Sequence, residues 1–194
     1  MDFIEHYVNN LNQINEKLDI KKIKKIVDVL VHLKKNNGRL FILGVGGSAG
    51  NTSHAVNDFR KLCEIETYSP TDNVSEITAR TNDEGFDTVF FEYLKVSQLS
   101  KKDILLIFSV GGGSLTKKIS LAIIKAIKYA KKQKSKVISI LGKKDGYAAL
   151  NSTISIVVDP LDKKLLTPIS ESYQGVIWHL LVSHPLLQKN KTKW

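Results

Sequence analysis

Two short apolar runs, each closed by a glycine- and serine-rich loop, constrain this chain more than any other feature. Arg39-Leu40-Phe41-Ile42-Leu43 ends in Gly44-Val45-Gly46-Gly47-Ser48, and Asp103-Ile104-Leu105-Leu106-Ile107-Phe108 ends in Ser109-Val110-Gly111-Gly112-Gly113-Ser114. Runs of this length without alternation are the signature of strands buried on both faces, as in a parallel sheet. A third run, Lys136-Val137-Ile138-Ser139-Ile140-Leu141, stops at Gly142, and residues 154–158 give a fourth. Residues 66–69 read as a further short strand.

Helical periodicity fills the intervals. Phe3, Ile4, Val8, Leu11 and Ile14 mark a helix over 2–17, and Ile20, Ile23, Ile26, Val27, Leu30 and Leu33 mark another over 20–36. Further helices are predicted over 49–63, 73–82, 86–98, 115–133, 147–150 and 170–183, with Asp159-Pro160 and Pro168 bracketing a loop. Strands alternating with helices imply right-handed crossovers and a doubly wound α/β fold, its parallel sheet flanked by helices. With no linker or low-complexity tract, residues 1–194 read as one domain: an N-terminal helical extension over 1–36 and an α/β core over 39–187.

Composition narrows the setting. No apolar run of about 18 residues is present, so no membrane-spanning helix is expected. The start, Met1-Asp2-Phe3-Ile4-Glu5-His6, lacks the basic and apolar regions of a secretory signal. A single cysteine, Cys63, excludes an internal disulfide framework and fits a reducing, cytoplasmic location. The formal net charge is +10, but the basic residues are almost all lysines in scattered pairs, with arginine only at positions 39, 60 and 80. No arginine-rich, aromatic-interleaved patch exists, so the charge reads as solvated helix faces and an anionic small molecule rather than nucleic acid.

In open α/β sheets, ligands bind beyond the carboxyl ends of the strands. Both Gly/Ser loops belong on that edge, where tight glycine turns and the unpaired N–H groups of a following helix make a phosphate cradle. Ser48, Ser109 and Ser114 add hydroxyls. The first loop also fits the dinucleotide pattern G-x-G-x-x-G/A, with Glu66 near the position of a ribose-binding acid. Two leading helices and a second Gly/Ser loop count against that reading. Just past the first loop, His54 and Asp58 share a helix face at i, i+4. On the last helix Glu171 and His179 stand eight apart, about 80° around the axis. Such His/carboxylate pairs can move protons or hold a divalent metal such as Zn2+. They are equally the commonplace pairs of a helix surface. Trp178 reads as core.

The ordered set Gly44-Val45-Gly46-Gly47-Ser48, His54, Asp58, Thr81-Asn82-Asp83-Glu84-Gly85-Phe86, Ser109–Ser114, Glu171 and His179 resembles the sugar isomerase (SIS) domain family, and within it the phosphoheptose isomerases. The likeness covers essentially the whole chain. It implies a five-stranded parallel sheet and a homotetramer with sites at subunit interfaces. The implied reaction is an aldose–ketose isomerisation of sedoheptulose 7-phosphate through an enediol, for surface polysaccharide synthesis. Asp58 and His179 would be the catalytic acid/base pair. Gly46, Gly47, Ser48, Asn82, Asp83, Ser109, Gly111, Gly112, Gly113, Ser114 and Glu171 would bind the sugar phosphate. His54, Asp58, Glu171 and His179 would hold Zn2+. The chain departs from the family pattern at Val45 (usually Asn), at S-V-G-G-G-S (usually S-T-S-G-N-S), at Asp58 (usually Glu) and at Glu171 (often Gln). The thinned loop leaves room for a second reading, a non-catalytic SIS module that binds a sugar phosphate or a protein.

Overall fold

A computed structural model describes residues 2–193. The chain opens with helices α1 (Phe3–Lys17) and α2 (Ile20–Lys35). Asp2 caps α1 through the Glu5 N–H while the Glu5 side chain accepts from the Asp2 N–H, a reciprocal capping box. Asp19 caps α2 in the same position, accepting from the Lys22 N–H.

Then follow β1 (Leu40–Leu43), α3 (Gly47–Cys63), β2 (Thr67–Tyr68), α4 (Val74–Glu84), α5 (Val89–Val96) and β3 (Ile104–Ser109). The chain continues through α6 (Leu121–Lys132), β4 (Lys136–Leu141), α7 (Tyr147–Asn151), β5 (Ile154–Val157) and α8 (Leu166–Val182). The five strands form one parallel sheet in the order β2-β1-β3-β4-β5. This matches the architecture expected from the apolar runs.

Side chains alternate between the two faces of each strand, and the core divides accordingly. Leu40, Ile42, Leu106, Phe108 and Ile140 pack under α2, α3 and α8. Phe41, Leu43, Leu105, Ile107 and Leu141 pack under α5, α6 and α7. The sheet is covered on both faces, which is why β1 and β3 are apolar at every position.

Strand order reverses between β1 and β3, the two strands that carry the Gly/Ser loops. Their carboxyl ends therefore flank the crevice where ligands enter such folds. At the opposite end, Asp103 ties the two strands together. It accepts from the Arg39 N–H (3.0 Å), Nε (3.1 Å) and Nη2 (2.9 Å) and from the Ser100 N–H (2.8 Å).

Two helix starts differ from expectation by four residues or more. The helix predicted from residue 115 begins at Leu121. Ser114 and Ile119 exchange both backbone hydrogen bonds, closing residues 115–118 into a turn, and Lys118 and Ser120 have φ of +51°. A helix cannot pass through such residues. The last helix begins at Leu166 rather than 170, and takes in Pro168. A proline in the first helical turn removes only an N–H that has no intrahelical partner.

Candidate active site

Helices α3 and α8 pack against each other on one face of the sheet, and a ladder of polar contacts fixes their register. Near the start of α3, Gln174 Nε2 donates to Ser48 Oγ (3.0 Å). One turn on, Asn51 Nδ2 donates to Gln174 Oε1 (2.8 Å) and to the Glu171 carbonyl (2.9 Å). Two turns further, Trp178 Nε1 donates to Asp58 Oδ2 (3.0 Å). Ser48, Gln174 and Asp58 are buried, so each would carry an uncompensated desolvation cost without its partner. Trp178 is itself held against Phe108 of β3, ring centroids 5.9 Å apart.

The last rung is the centre of the site. Three groups converge on Asp58 Oδ2: the Trp178 N–H donates to it, His54 Nε2 lies 3.5 Å away and His179 Nε2 3.4 Å away. Asn57 Nδ2 donates to the other oxygen at 3.1 Å. The imidazoles stand edge to face, 5.3 Å apart, and both are solvent-exposed while Asp58 is not. A carboxylate held by Trp178 and set beside two imidazoles can pass protons to a ligand in the adjoining cavity. That cavity encloses about 610 Å³, within the range of small-molecule sites.

The same three groups satisfy the donor requirements of a metal. With Zn–N and Zn–O bonds of about 2.0–2.1 Å, neighbouring ligand atoms of a tetrahedral zinc stand about 3.4 Å apart. The two His–carboxylate separations fall at that value, and all three donor atoms lie within 4.8 Å of one another. Among the described residues His54, Asp58 and His179 thus form a group that could hold a metal ion.

Glu171, expected as a fourth ligand, does not join this group. Its rotation about α8 suits the site, but eight residues at about 1.5 Å each set it some 12 Å along the axis from His179. Its carboxylate lies instead at the first Gly/Ser loop, where a Cβ on Gly47 would stand 2.5 Å from Oε2. Gly46 and Gly47 are exposed at the start of α3, Gly46 with φ of +65°, whereas the Ser48 hydroxyl is turned inward to Gln174.

The second loop is locked by its own neighbours. Ser109 Oγ accepts from the Gly112 N–H (3.0 Å). The carbonyls of Val110, Gly112 and Gly113 accept from the N–H groups of Gly142, Ala148 and Tyr147. The Ser114 N–H is taken by Ile119, and its hydroxyl accepts from the Lys117 N–H. The expected run of loop straight into helix is therefore absent, and Ser120, not Ser114, precedes α6. Asn82 and Asp83 are exposed at the end of α4, bonded to each other (2.8 Å), and do not line the cavity of the Asp58 cluster.

Three contributors were not foreseen: Asn51 and Gln174, which set the helix register, and Trp178, which holds the carboxylate. The i, i+3 step from Asn51 to His54 and the adjacency of Trp178 to His179 were the signals available.

Known proteins resemble the chain over most of its length. The SIS domain family model matches residues 2–142. The phosphoheptose isomerase of Buchnera aphidicola is 31% identical over 153 residues, 76% of this chain and 75% of that protein. The lincomycin biosynthesis protein LmbN of Streptomyces lincolnensis is 31% identical over 154 residues, 76% of this chain, and the match spans only 56% of that longer protein. The structure of phosphoheptose isomerase GmhA from Neisseria gonorrhoeae superposes with a TM-score of 0.78 at 22% identity, covering 92% of this chain and 94% of that one. Sheet order, paired Gly/Ser loops and these matches agree: the chain belongs to the SIS domain family.

Proposed function

We propose that the chain is a phosphosugar aldose–ketose isomerase that converts sedoheptulose 7-phosphate to D-glycero-D-manno-heptose 7-phosphate, a precursor for surface polysaccharide. The observation that carries this reading is the buried Asp58 carboxylate, held by Trp178 and opened toward a cavity between His54 and His179. The relatives named above support the substrate.

The chemistry asks for two proton movements. A base removes a proton from C1 of the ketose, forming a C1–C2 enediol, and the proton returns to C2 to leave the aldehyde at C1. A second group carries the hydroxyl proton from O1 to O2. Asp58 suits the carbon proton, because its fixed orientation removes the cost of aligning it in the transition state. His179, whose imidazole can both accept and donate a proton, suits the oxygen proton. Zn2+ on His54, Asp58 and His179 would polarise the sugar's carbonyl and hydroxyl oxygens. Gly46, Gly47 and Glu171 at the first loop, and Gly111 at the second, line the sheet edge beyond which the rest of the sugar phosphate extends.

Val176 and Leu180 stay exposed on α8 on either side of His179. These exposed apolar side chains support assembly of a homotetramer with sites at the interfaces. The single thiol, Cys63, is free and buried, in keeping with a cytoplasmic location.

Incubation with sedoheptulose 7-phosphate in D₂O, with and without added Zn2+, tests the reading. Aldose formation with deuterium entering at C2 is the expected result; neither product nor exchange would refute it. The self-bonded second loop favours one rival, a non-catalytic sugar-phosphate sensor. Under that rival, His179→Ala would leave both ligand-induced thermal stabilisation and the wild type's absence of turnover unaltered.

A further inference from the structure

Gln174 is fully buried on α8, between Glu171 and His179. Both ends of its side-chain amide are bonded to α3. Nε2 donates to Ser48 Oγ (3.0 Å), and Oε1 accepts from Asn51 Nδ2 (2.8 Å). Asn51 Nδ2 also donates to the Glu171 carbonyl (2.9 Å), which closes the contact back onto α8. Position 174 must therefore donate to one neighbour and accept from the other. A glutamine amide does both without charge; a carboxylate offers only acceptors, and methionine, of similar length, makes neither bond.

What this amide holds is the first Gly/Ser loop. Ser48 is the second residue of α3, directly behind Gly46 and Gly47. Glu171 lays its carboxylate against Gly47 so closely that a Cβ there would stand 2.5 Å from Oε2. Among the described residues that carboxylate has no hydrogen-bond or ion-pair partner of its own. Its placement therefore depends on the backbone at 171, whose carbonyl is held by Asn51. Ser48, Asn51, Glu171 and Gln174 form one unit with an unbonded acceptor facing the loop. The Asp58 cluster depends on a different bond, from Trp178, about two turns further along α3. Loop and acid/base cluster thus share two helices but not their supports.

We propose that Gln174 is a positioning residue for sugar recognition: through Ser48 and Asn51 it fixes the first Gly/Ser loop and the Glu171 backbone as one unit, and it does not act on proton transfer at Asp58. The inference rests on the isomerase reading for the identity of the sugar, though not for the ordering of the loop. It places part of the binding of the sugar's hydroxyls under the control of a side chain that never touches them. Preorganising a loop in its binding conformation strengthens binding by removing the cost of ordering it.

The test compares Gln174→Met with Ile127→Ala, a core variant in α6 on the opposite face of the sheet. Hydrogen–deuterium exchange of the free protein, read by mass spectrometry, should rise about tenfold over residues 44–52 in Gln174→Met and stay within about twofold over 53–63. Ile127→Ala should show no such local rise. The KM for sedoheptulose 7-phosphate should rise about tenfold in Gln174→Met with kcat changed less than about twofold, the split that marks lost binding rather than lost chemistry. Asn51→Ala, at a half-buried position, cuts the same unit from its other side and should reproduce both changes even where Gln174→Met fails to fold. Unchanged exchange over 44–52 overturns the proposal. So does exchange that rises equally along all of α3, which would make Gln174 a general support of the helix. A fall in kcat matching the rise in KM also overturns it, as does an equal rise in KM in Ile127→Ala, which would trace the effect to lost stability. A protein that shows the local change in exchange yet never turns over the sugar would sustain the ordering role and refute only the isomerase reading.

Discussion

Replacing Trp178 with phenylalanine probes the one contact on which the candidate site depends. Phenylalanine keeps an aromatic ring against Phe108 but deletes the N–H that reaches Asp58 Oδ2 at 3.0 Å. Trp178 is 3% exposed and Asp58 7%, so water does not readily replace the lost donor. A hydrogen bond to a charged group contributes about 1.5–3 kcal/mol, and the smaller ring leaves a void costing roughly 1 kcal/mol. A destabilisation of about 3 kcal/mol follows, a fall in Tm of roughly 6–12 °C for a chain of this length. Urea melts of Trp178→Phe, Asp58→Ala and the double variant separate the two parts. In the Asp58→Ala background the tryptophan substitution should cost only the void term, giving a coupling energy of about 2 kcal/mol. If Trp178→Phe costs the same with and without Asp58, the bond does not hold the carboxylate. The catalytic role assigned to that fixed carboxylate would then lose its physical basis. Turnover should fall at least tenfold in Trp178→Phe, since each 1.36 kcal/mol of lost transition-state alignment is a factor of ten.

Other regions yield sharp expectations too. Gly146→Ala would place a Cβ 2.0 Å from the Gly111 carbonyl oxygen, forcing the second loop off α7. It should cost about 3 kcal/mol by chemical denaturation, whereas Gly175→Ala, whose nearest neighbour is the Trp178 ring at 3.5 Å, should be neutral or slightly stabilising. At Asp103 burial pushes the carboxyl pKa up, but the bonds from the Arg39 side chain and from the Arg39 and Ser100 N–H groups outweigh it and hold the value below the ordinary one. Asp103 therefore stabilises the fold fully above the unfolded carboxylate pKa of about 3.9, and that contribution disappears as pH falls through the lower folded value. The stability gap between wild type and Asp103→Asn should be constant above about pH 5 and close toward acid; a gap that widens toward acid would contradict the assignment. Burial pushes the Cys63 thiol up to about 11, so it should not react with a disulfide reagent at pH 8 until denaturant is added, and rapid native labelling would place it outside the core.

The sheet was legible because burial on both faces writes itself into a sequence as uninterrupted apolar runs. β1, β3 and β4 contain almost nothing but Leu, Ile, Val and Phe, and no competing local signal interferes. Helix ends were less legible where local and tertiary preferences conflict. Pro168 looked like the far side of a loop, yet a proline within the first turn of α8 breaks no hydrogen bond. Residues 115–120 lack the apolar spacing of Ile123, Ile124 and Ile127, and that gap was the available sign that α6 starts late.

The site divides along the same line. His54 and Asp58 were found from helical spacing because both stand on α3, where one period governs their placement. His179 was found from the same spacing paired with Glu171, but joining it to Asp58 needed the family resemblance, since no local rule relates residues 121 apart; the structure then brings its Nε2 to 3.4 Å from Asp58. Glu171 shows what helical spacing leaves open. An angular match about a helix axis says nothing of the axial distance, and two turns are enough to move the carboxylate from the acid/base cluster to the glycine loop. That displacement bears on the chemistry. A glutamate among the metal donors would add a second negative charge to the cluster; at the glycine loop it instead faces the exposed backbone of Gly47, where a sugar hydroxyl could donate to it. Among the described residues Asp58 is then the sole acidic side chain lining the cavity. The shorter acid at 58 and the extra acid at 171 thus lie at separate places, one in the histidine cluster and one at the first glycine loop. Asp58→Asn should accordingly abolish exchange of the C1 proton, whereas Glu171→Gln should raise KM and leave that exchange in place.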